Sequence, residues 1–96
     1  MPDNKDTEAF YKRLKEELLN TSLWPSAYLY KFIVPTADDK IHQIEEMFNN
    51  MGAVIDTKTS SNGKYTSLSI HVKMEDPDAV IAKYKEVSTV EGVISL

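Results

Sequence analysis

Asn62-Gly63 stands between two runs of alternating polarity, Ala53 to Ser61 and Lys64 to Met74, and this dipeptide narrows the possible folds more than any other feature. Asn-Gly favours a two-residue hairpin turn of type I′, because both residues adopt positive φ at low cost. A two-residue loop sets Ser61 opposite Lys64 and so dictates every pair beyond it. Thr59/Thr66, Thr57/Leu68, Ile55/Ile70 and Ala53/Val72 then share one largely apolar face. Ser60/Tyr65, Lys58/Ser67, Asp56/Ser69 and Val54/His71 share the other, largely polar one. A slip of one residue would exchange the two faces, so the clean sorting supports the turn.

The flanking segments supply partners for this hairpin. Tyr28 to Val34 is aromatic and β-branched and reads as a strand with Tyr28, Tyr30, Phe32 and Val34 on one face and Leu29, Lys31 and Ile33 on the other. Aromatics dominate small cores, so the first set is expected inside rather than in a ligand box. After Pro35, Thr36 to Asp39 resembles a capping box with Thr36 as the cap. Ile41, Ile44, Phe48 and Met51 follow at helical spacing, and Gly52 takes the place of a left-handed C-terminal cap. Asp76-Pro77 starts a second helix with stripe residues Val80, Ile81, Tyr84 and Val87, since proline in the first turn gives up no hydrogen bond. Gly92 to Leu96 reads as a last short strand with Ile94 and Leu96 inward. Upstream, residues 1–5 read as a polar tail, Asp6 and Thr7 as caps, and Phe10, Leu14 and Leu18 as the stripe of an amphipathic helix ending near Asn20. Thr21 to Pro25 is a connector, and its Trp24 needs cover from the domain or from a partner.

The order is helix, then β-α-β-β-α-β, an α+β chain. Right-handed crossovers turn it into a four-stranded antiparallel sheet with two helices on one face, the ferredoxin-like arrangement, with strands one and three central. Residues 1–22 form the tail and the extra N-terminal helix, and 23–96 a single domain. The second face of the sheet is left open unless the N-terminal helix, a ligand or a partner covers it.

Most chemistries find no residues here. The 96 residues contain no cysteine, which excludes disulfides, thiolate metal sites and a cysteine nucleophile. His42 and His71 have no second ligand at helical spacing, and a metal site needs about three or four. Adjacent carboxylates such as Glu45 and Glu46 diverge on a helix instead of flanking one cleft. There is no G-x-S-x-G elbow, phosphate-binding glycine loop or dinucleotide fingerprint. No catalytic residue, metal or cofactor is therefore expected, and the chain reads as no enzyme. Its net charge of −4 argues against nucleic acid. Gly63-Lys64-Tyr65 begins like an RNA-binding strand, but Ser67 and Ser69 stand where a second stacking ring belongs. The polar start and the lack of a run of roughly 20 apolar residues predict a cytoplasmic protein with neither secretory signal nor membrane span.

What is left is the open face. The candidate binding surface is Leu29, Lys31 and Ile33 of the first strand with Ser60, Asn62, Gly63, Tyr65, Ser67, Ser69 and His71 of the hairpin.

Ser60-Ser61-Asn62-Gly63-Lys64-Tyr65-Thr66-Ser67-Leu68-Ser69-Ile70 resembles the S-S-x-G-x-Y-x-S-[VL]-[ST]-[IV] run of the YbeD-like bacterial proteins, a family of unknown function. Glu17-Leu18-Leu19 before Pro25, Tyr30-Lys31, the Tyr84 helix and the hydrophobic C-terminal strand fall in that family's order, and the resemblance spans about Leu14 to Leu96. It implies a ferredoxin-like fold similar to ACT regulatory domains, which bind small effectors such as amino acids at dimer interfaces. Two functions follow as expectations. One is a non-enzymatic regulatory or adaptor module acting on a protein partner or as a homodimer. The other is a sensor of a small-molecule effector, bound near Thr36 and Asp38 or at a dimer seam.

Overall fold

The strand register expected around Asn62-Gly63 is the one the chain adopts. The computed structural model describes residues 4–96, with side chains from residue 7 onwards. In it β2 (Val54–Thr59) and β3 (Tyr65–Met74) pair antiparallel, with Thr59 opposite Thr66, Ile55 opposite Ile70 and Val54 opposite His71. β1 (Ser26–Pro35) runs along the other side of β3 from Ser26 opposite Met74 to Pro35 opposite Tyr65. β4 (Ile94–Ser95) pairs only with Phe32 and Ile33 of β1, and the sheet order is β2-β3-β1-β4. With α1 (Asn4–Thr21), α2 (Asp38–Met47) and α3 (Pro77–Val87) this is an antiparallel ferredoxin-like fold with an extra N-terminal helix.

Strand periodicity delivers the core. Tyr30, Phe32 and Val34 from β1 and Leu68 and Ile70 from β3 are fully buried, against Ile44 and Phe48 at α2 and Val80 and Val87 of α3. Each such side chain contributes about 1.5–3 kcal/mol on leaving water. The polar atoms carried inside are paired: the Tyr30 hydroxyl donates to the Val80 carbonyl at 3.0 Å, and the hydroxyls of Tyr28 and Tyr84 lie 2.8 Å apart. Burial, with the neighbouring Tyr28, pushes the Tyr30 phenol well above its usual range. Burial, then the hydrogen bond with Tyr28, does the same to Tyr84. Buried Thr66 meets the Thr36 hydroxyl at 2.9 Å.

α1 lies beside α3, on the helical side of the sheet. Lys15 pairs with Asp78 at 2.9 Å, and the Lys85 ammonium sits 5.4 Å from the Tyr11 ring centre. Leu18 and Trp24 pack against the core, and the Trp24 indole N–H donates to the Leu18 carbonyl at 3.1 Å. Trp24 is thus covered by its own domain, and its indole shares the Leu18 carbonyl with the Ser22 N–H, 3.3 Å away, at the end of α1. The Trp24–Pro25 peptide bond is cis.

The chain departs from expectation at its caps and its last strand. α1 already runs at Asn4, so residues 4 and 5 are helical rather than tail, and Asp6 and Thr7 lie inside the helix instead of capping it. The rest of the expected tail, residues 1–3, and the Asp6 side chain fall outside the described residues. Thr36 does not cap α2: Ala37 holds that position without a side-chain bond, because the Thr36 hydroxyl is engaged by Thr66. α2 ends at Met47, since Phe48 turns into the core, and Gly52 (φ 71) belongs to the loop that follows rather than to the helix cap. Asp76 caps α3 as expected, accepting from the Ala79 N–H at 2.8 Å, with Pro77 in the first turn. Ile94 and Leu96, expected inward, are 53% and 70% exposed. Ile94 stands opposite Ile33, whose side chain belongs to the outer face, while buried Val90 and half-buried Val93 close that end of the core.

Candidate functional site

Because α1 packs on the helical side, the outer face of the sheet is uncovered, and the pairing registers give its layout. Val54, His71 and Leu29 form one row across three strands, Asp56, Ser69 and Lys31 the next, then Lys58, Ser67, Ile33 and Ile94, and finally Tyr65 beside Pro35. The apolar members collect on the β1–β4 side, where Leu29 and Ile33 neighbour Ile94, whereas the serines, His71, Asp56 and Lys58 lie on β2 and β3. Lys31, Lys58 and Lys73 against Asp56 give this face two positive charges in excess within a chain of net charge −4. None of the three lysines makes an ion pair among the described residues; the pairs present are Lys15–Asp78, His42–Glu46 and Lys83–Glu86.

At the hairpin end the face carries a concavity of about 360 Å³ lined by Ile33, Lys58, Thr59, Ser60, Ser61, Tyr65 and Ser67. Of the residues expected at the surface, the structure therefore gathers Ile33, Ser60, Tyr65 and Ser67 around one hollow. Leu29, Lys31, Ser69 and His71 lie further along the same face, and Asn62 and Gly63 form the hairpin tip outside it. Periodicity places Thr59 on the opposite face, but it borders the hollow where the strand ends, and Ser61 enters through the loop. Ile94 joins this face unannounced by its sequence, because a strand of two residues carries too little alternation to show which side faces out.

The hairpin tip itself is built differently from a type I′ turn. Gly63 has φ 75, but Asn62 is not left-handed; among the described residues Asn50 alone is a non-glycine with positive φ. The turn closes by Gly63 N–H to the Ser60 carbonyl at 2.9 Å. Side chains then replace the missing ladder bonds. Ser60 Oγ donates to Asn62 Oδ1 at 2.8 Å and accepts from the Tyr65 N–H at 3.1 Å, while Asn62 Oδ1 also accepts from the Lys64 N–H at 3.0 Å. Short polar side chains that bond the local backbone favour such turns. The register survives because Ser60 N–H still reaches the Tyr65 carbonyl at 2.8 Å. The Ser67 hydroxyl donates back to the Lys58 carbonyl at 3.2 Å. The hollow thus offers a ligand the Lys58 ammonium, the Tyr65 phenol and hydroxyl lone pairs over an apolar floor at Ile33.

His42 pairs with Glu46 at 3.0 Å on α2, and His71 is solvent-exposed on β3. Among the described residues no three histidine or carboxylate side chains cluster as metal ligands, and no helix is long and apolar enough to cross a membrane.

A family model described as "Protein of unknown function (DUF493)" matches residues 20–96. The chain belongs to the DUF493 family. The hairpin run that resembles the YbeD-like proteins lies inside the matched segment, as do both faces of the sheet, while most of α1 precedes it. The solution structure of the protein HP0495 from H. pylori superimposes with a TM-score of 0.64 at 20% identity, over 79% of this chain and 86% of that one. At that identity the likeness concerns the fold. Among curated proteins no match is found. Membership in DUF493 names no reaction, ligand or partner, so the site has to be read from its own geometry.

Proposed function

We propose that this DUF493 protein is a non-catalytic adaptor or regulatory module whose outer sheet face docks on a partner protein. The observation that carries the reading is the position of α1. The one element able to cover that face is packed beside α3 instead, leaving Leu29, Ile33 and Ile94 facing outward next to unpaired lysines. The charge excess selects the occupant. Two copies meeting face to face would bring Lys31, Lys58 and Lys73 of each together, which like-charge repulsion disfavours. An apolar patch rimmed by acidic side chains on another protein complements the face.

The test compares the full chain with a Leu29→Lys/Ile33→Lys variant. Both substitutions sit on the exposed side of β1, so the melting temperature should change little. Proteins captured from a cell extract are identified, purified and titrated against both forms. The reading expects a monomer by light scattering, and a purified partner whose affinity falls at least about tenfold with the variant, as removal of central interface anchors does. Equal binding by both forms rejects it, and so does a concentration-dependent dimer lost in the variant.

A second reading, a sensor of a small-molecule effector of ACT-like type, is favoured by the hollow at Ser60 and Tyr65. Its size and its apolar floor with few polar groups suit a small ligand. The turn at Thr36 and Asp38 is a weaker place for it, because the Thr36 hydroxyl is already bonded to Thr66. Binding to the native state raises the melting temperature, so a screen of amino acids and other small carboxylates that leaves it unchanged speaks against this reading.

A further inference from the structure

β2 is an edge strand. It is entered from α2 and left through the hairpin, and in the sheet order only β3 stands beside it. In an antiparallel ladder a residue directs its N–H and C=O to the same neighbour, and successive residues alternate between the two sides. The Ser60 N–H reaches the Tyr65 carbonyl on β3, so Lys58, Asp56 and Val54 turn to β3 as well, opposite Ser67, Ser69 and His71. Ile55, Thr57 and Thr59 therefore turn their main-chain groups to the free side, where no strand pairs with them among the described residues. From Asp56 to Thr59 the strand is exposed throughout.

Exposed edges invite pairing, and charged side chains are a common guard against it. A guard of one sign repels a second copy in every register. β2 instead carries both signs, with Asp56 and Lys58 on either side of Thr57. Two antiparallel copies of β2 exchange main-chain bonds only where outward-turned residues meet, which allows a two-fold axis at any one residue of the strand. With the axis at Asp56 or at Lys58, that residue faces its own copy, and like charges directly opposite are unfavourable. With the axis at Ile55 or Thr59, neither charge meets an opposite one. With the axis at Thr57, Asp56 stands opposite Lys58 of the other copy, and Lys58 opposite its Asp56. The same register sets Ile55 against Thr59 and Thr57 against itself, so all three outward-turned residues of each strand are paired.

We propose that β2 pairs antiparallel with β2 of a second copy of this chain about Thr57, joining the two sheets edge to edge and their outer faces into one surface. The unpaired backbone specifies an extended strand as the occupant, and the opposed charges specify this chain's own strand. Val54, 61% exposed, then stands opposite Ser60 of the other copy, at the border of its hollow. The pairing engages one acid and one base from each copy, so each outer face keeps its positive excess. One strand of six residues buries well under the roughly 1,200 Å² of a stable complex, and the dissociation constant is on the order of 1 mM. The chain is thus a monomer at micromolar concentration, and two copies pair where a common partner holds them close. This edge is separate from the outer face, and neither reading depends on the other.

The test uses the full chain, which has no cysteine of its own, with one introduced on β2. About a Thr57 axis the two Thr57 Cα atoms form a hydrogen-bonded pair about 5.5 Å apart, within reach of a disulfide. Thr59 of one copy lies four residues out of line with Thr59 of the other, roughly 13 Å along the strand and beyond that reach. Under mild oxidation Thr57→Cys should therefore form the disulfide dimer at least about tenfold faster than Thr59→Cys. Asp56→Lys sets lysine against lysine at both pairs and should slow the Thr57→Cys cross-link about tenfold, and Lys58→Asp should do the same with the opposite sign. The double variant Asp56→Lys/Lys58→Asp brings opposite charges together again and should restore the rate. These positions are exposed, so the melting temperature should change little. In the unsubstituted chain the Ile55, Thr57 and Thr59 amides should exchange more slowly at about 1 mM than at about 50 μM. The proposal is overturned if Thr57→Cys and Thr59→Cys cross-link alike, if the double variant stays as slow as Asp56→Lys, or if exchange of the three amides is independent of concentration. It is also overturned if Leu29→Lys/Ile33→Lys abolishes the cross-link, because the contact would then lie on the outer face.

Discussion

The tyrosine cluster makes a prediction in which two effects of opposite sign cross. In the folded chain Tyr30 and Tyr84 hold their protons far above the usual phenol range, chiefly because burial disfavours the phenolate. The unfolded chain releases them from about pH 10. Their contribution to stability is therefore complete below about pH 10 and is lost as the pH rises towards the folded values. At about pH 11 the loss amounts to about 1.4 kcal/mol for each tyrosine, or about 3 kcal/mol for both. Tyr30→Phe acts in the opposite order. At neutral pH it removes the 3.0 Å bond to the Val80 carbonyl. Because Val80 sits inside α3, its carbonyl retains its helical partner, and the cost is that of one hydrogen bond, about 1 kcal/mol. The variant has no proton to lose there, so its stability falls less steeply with pH. The two curves should meet between about pH 10.5 and 11, where the alkaline loss due to Tyr30 alone equals that bond, since the variant shares the loss at Tyr84. Tyr84→Phe should behave alike through its 2.8 Å contact with Tyr28. Urea unfolding at stepped pH, followed by circular dichroism and by tyrosinate absorbance, measures both curves. A stability gap that stays constant from neutral to alkaline pH would refute the argument, because it would mean that the phenols ionise as readily in the fold as outside it.

Three other outcomes are expected. Asp76→Ala removes the cap on the Ala79 N–H and should destabilise the chain by about 1 kcal/mol in urea unfolding. Gly92→Ala combines a left-handed backbone at φ 81 with a new Cβ only 2.9 Å from Pro35 Cγ. It should cost at least about 1–2 kcal/mol and speed exchange of the Leu96 amide as β4 loosens; a neutral effect would count against this packing. Ser60→Ala deletes the bonds to Asn62 Oδ1 and Tyr65 N–H, so the Tyr65 amide should exchange faster at a global cost of no more than about 1 kcal/mol.

The hairpin shows how far residue pattern carries and where it stops. Register was legible because a single shift would have buried Lys58 and exposed Ile70, a conflict spread over many residues. The turn geometry was not. It rests on which of several nearby polar atoms Ser60 and Asn62 bond, a choice among alternatives of similar energy. The same distinction separates the two expected helix caps. Asp76 has only the backbone to bond, whereas Thr36 meets Thr66, a partner that only the folded sheet brings near. The stripe of α1 was legible at Leu14 and Leu18 but not at Phe10, which is 58% exposed, and an apolar stripe does not name the surface it seeks, so the uncovered outer face could be posed only as an alternative. Within the candidate surface, Ser60, Tyr65, Ser67 and Ile33 converge because adjacent strands place them side by side.

The uneven spread of charge gives the molecule an electrical polarity. The outer sheet face carries Lys31, Lys58 and Lys73 against Asp56, and acidic groups prevail on α2, where Asp38, Asp39, Glu45 and Glu46 stand against Lys40. In the field of an acidic surface a tumbling copy is turned sheet-first within about one Debye length, roughly 8 Å at physiological salt, while its overall negative charge slows the approach. Orientation and speed are thus governed by different parts of the same sequence. Salt should raise the frequency of collisions while making a smaller share of them productive.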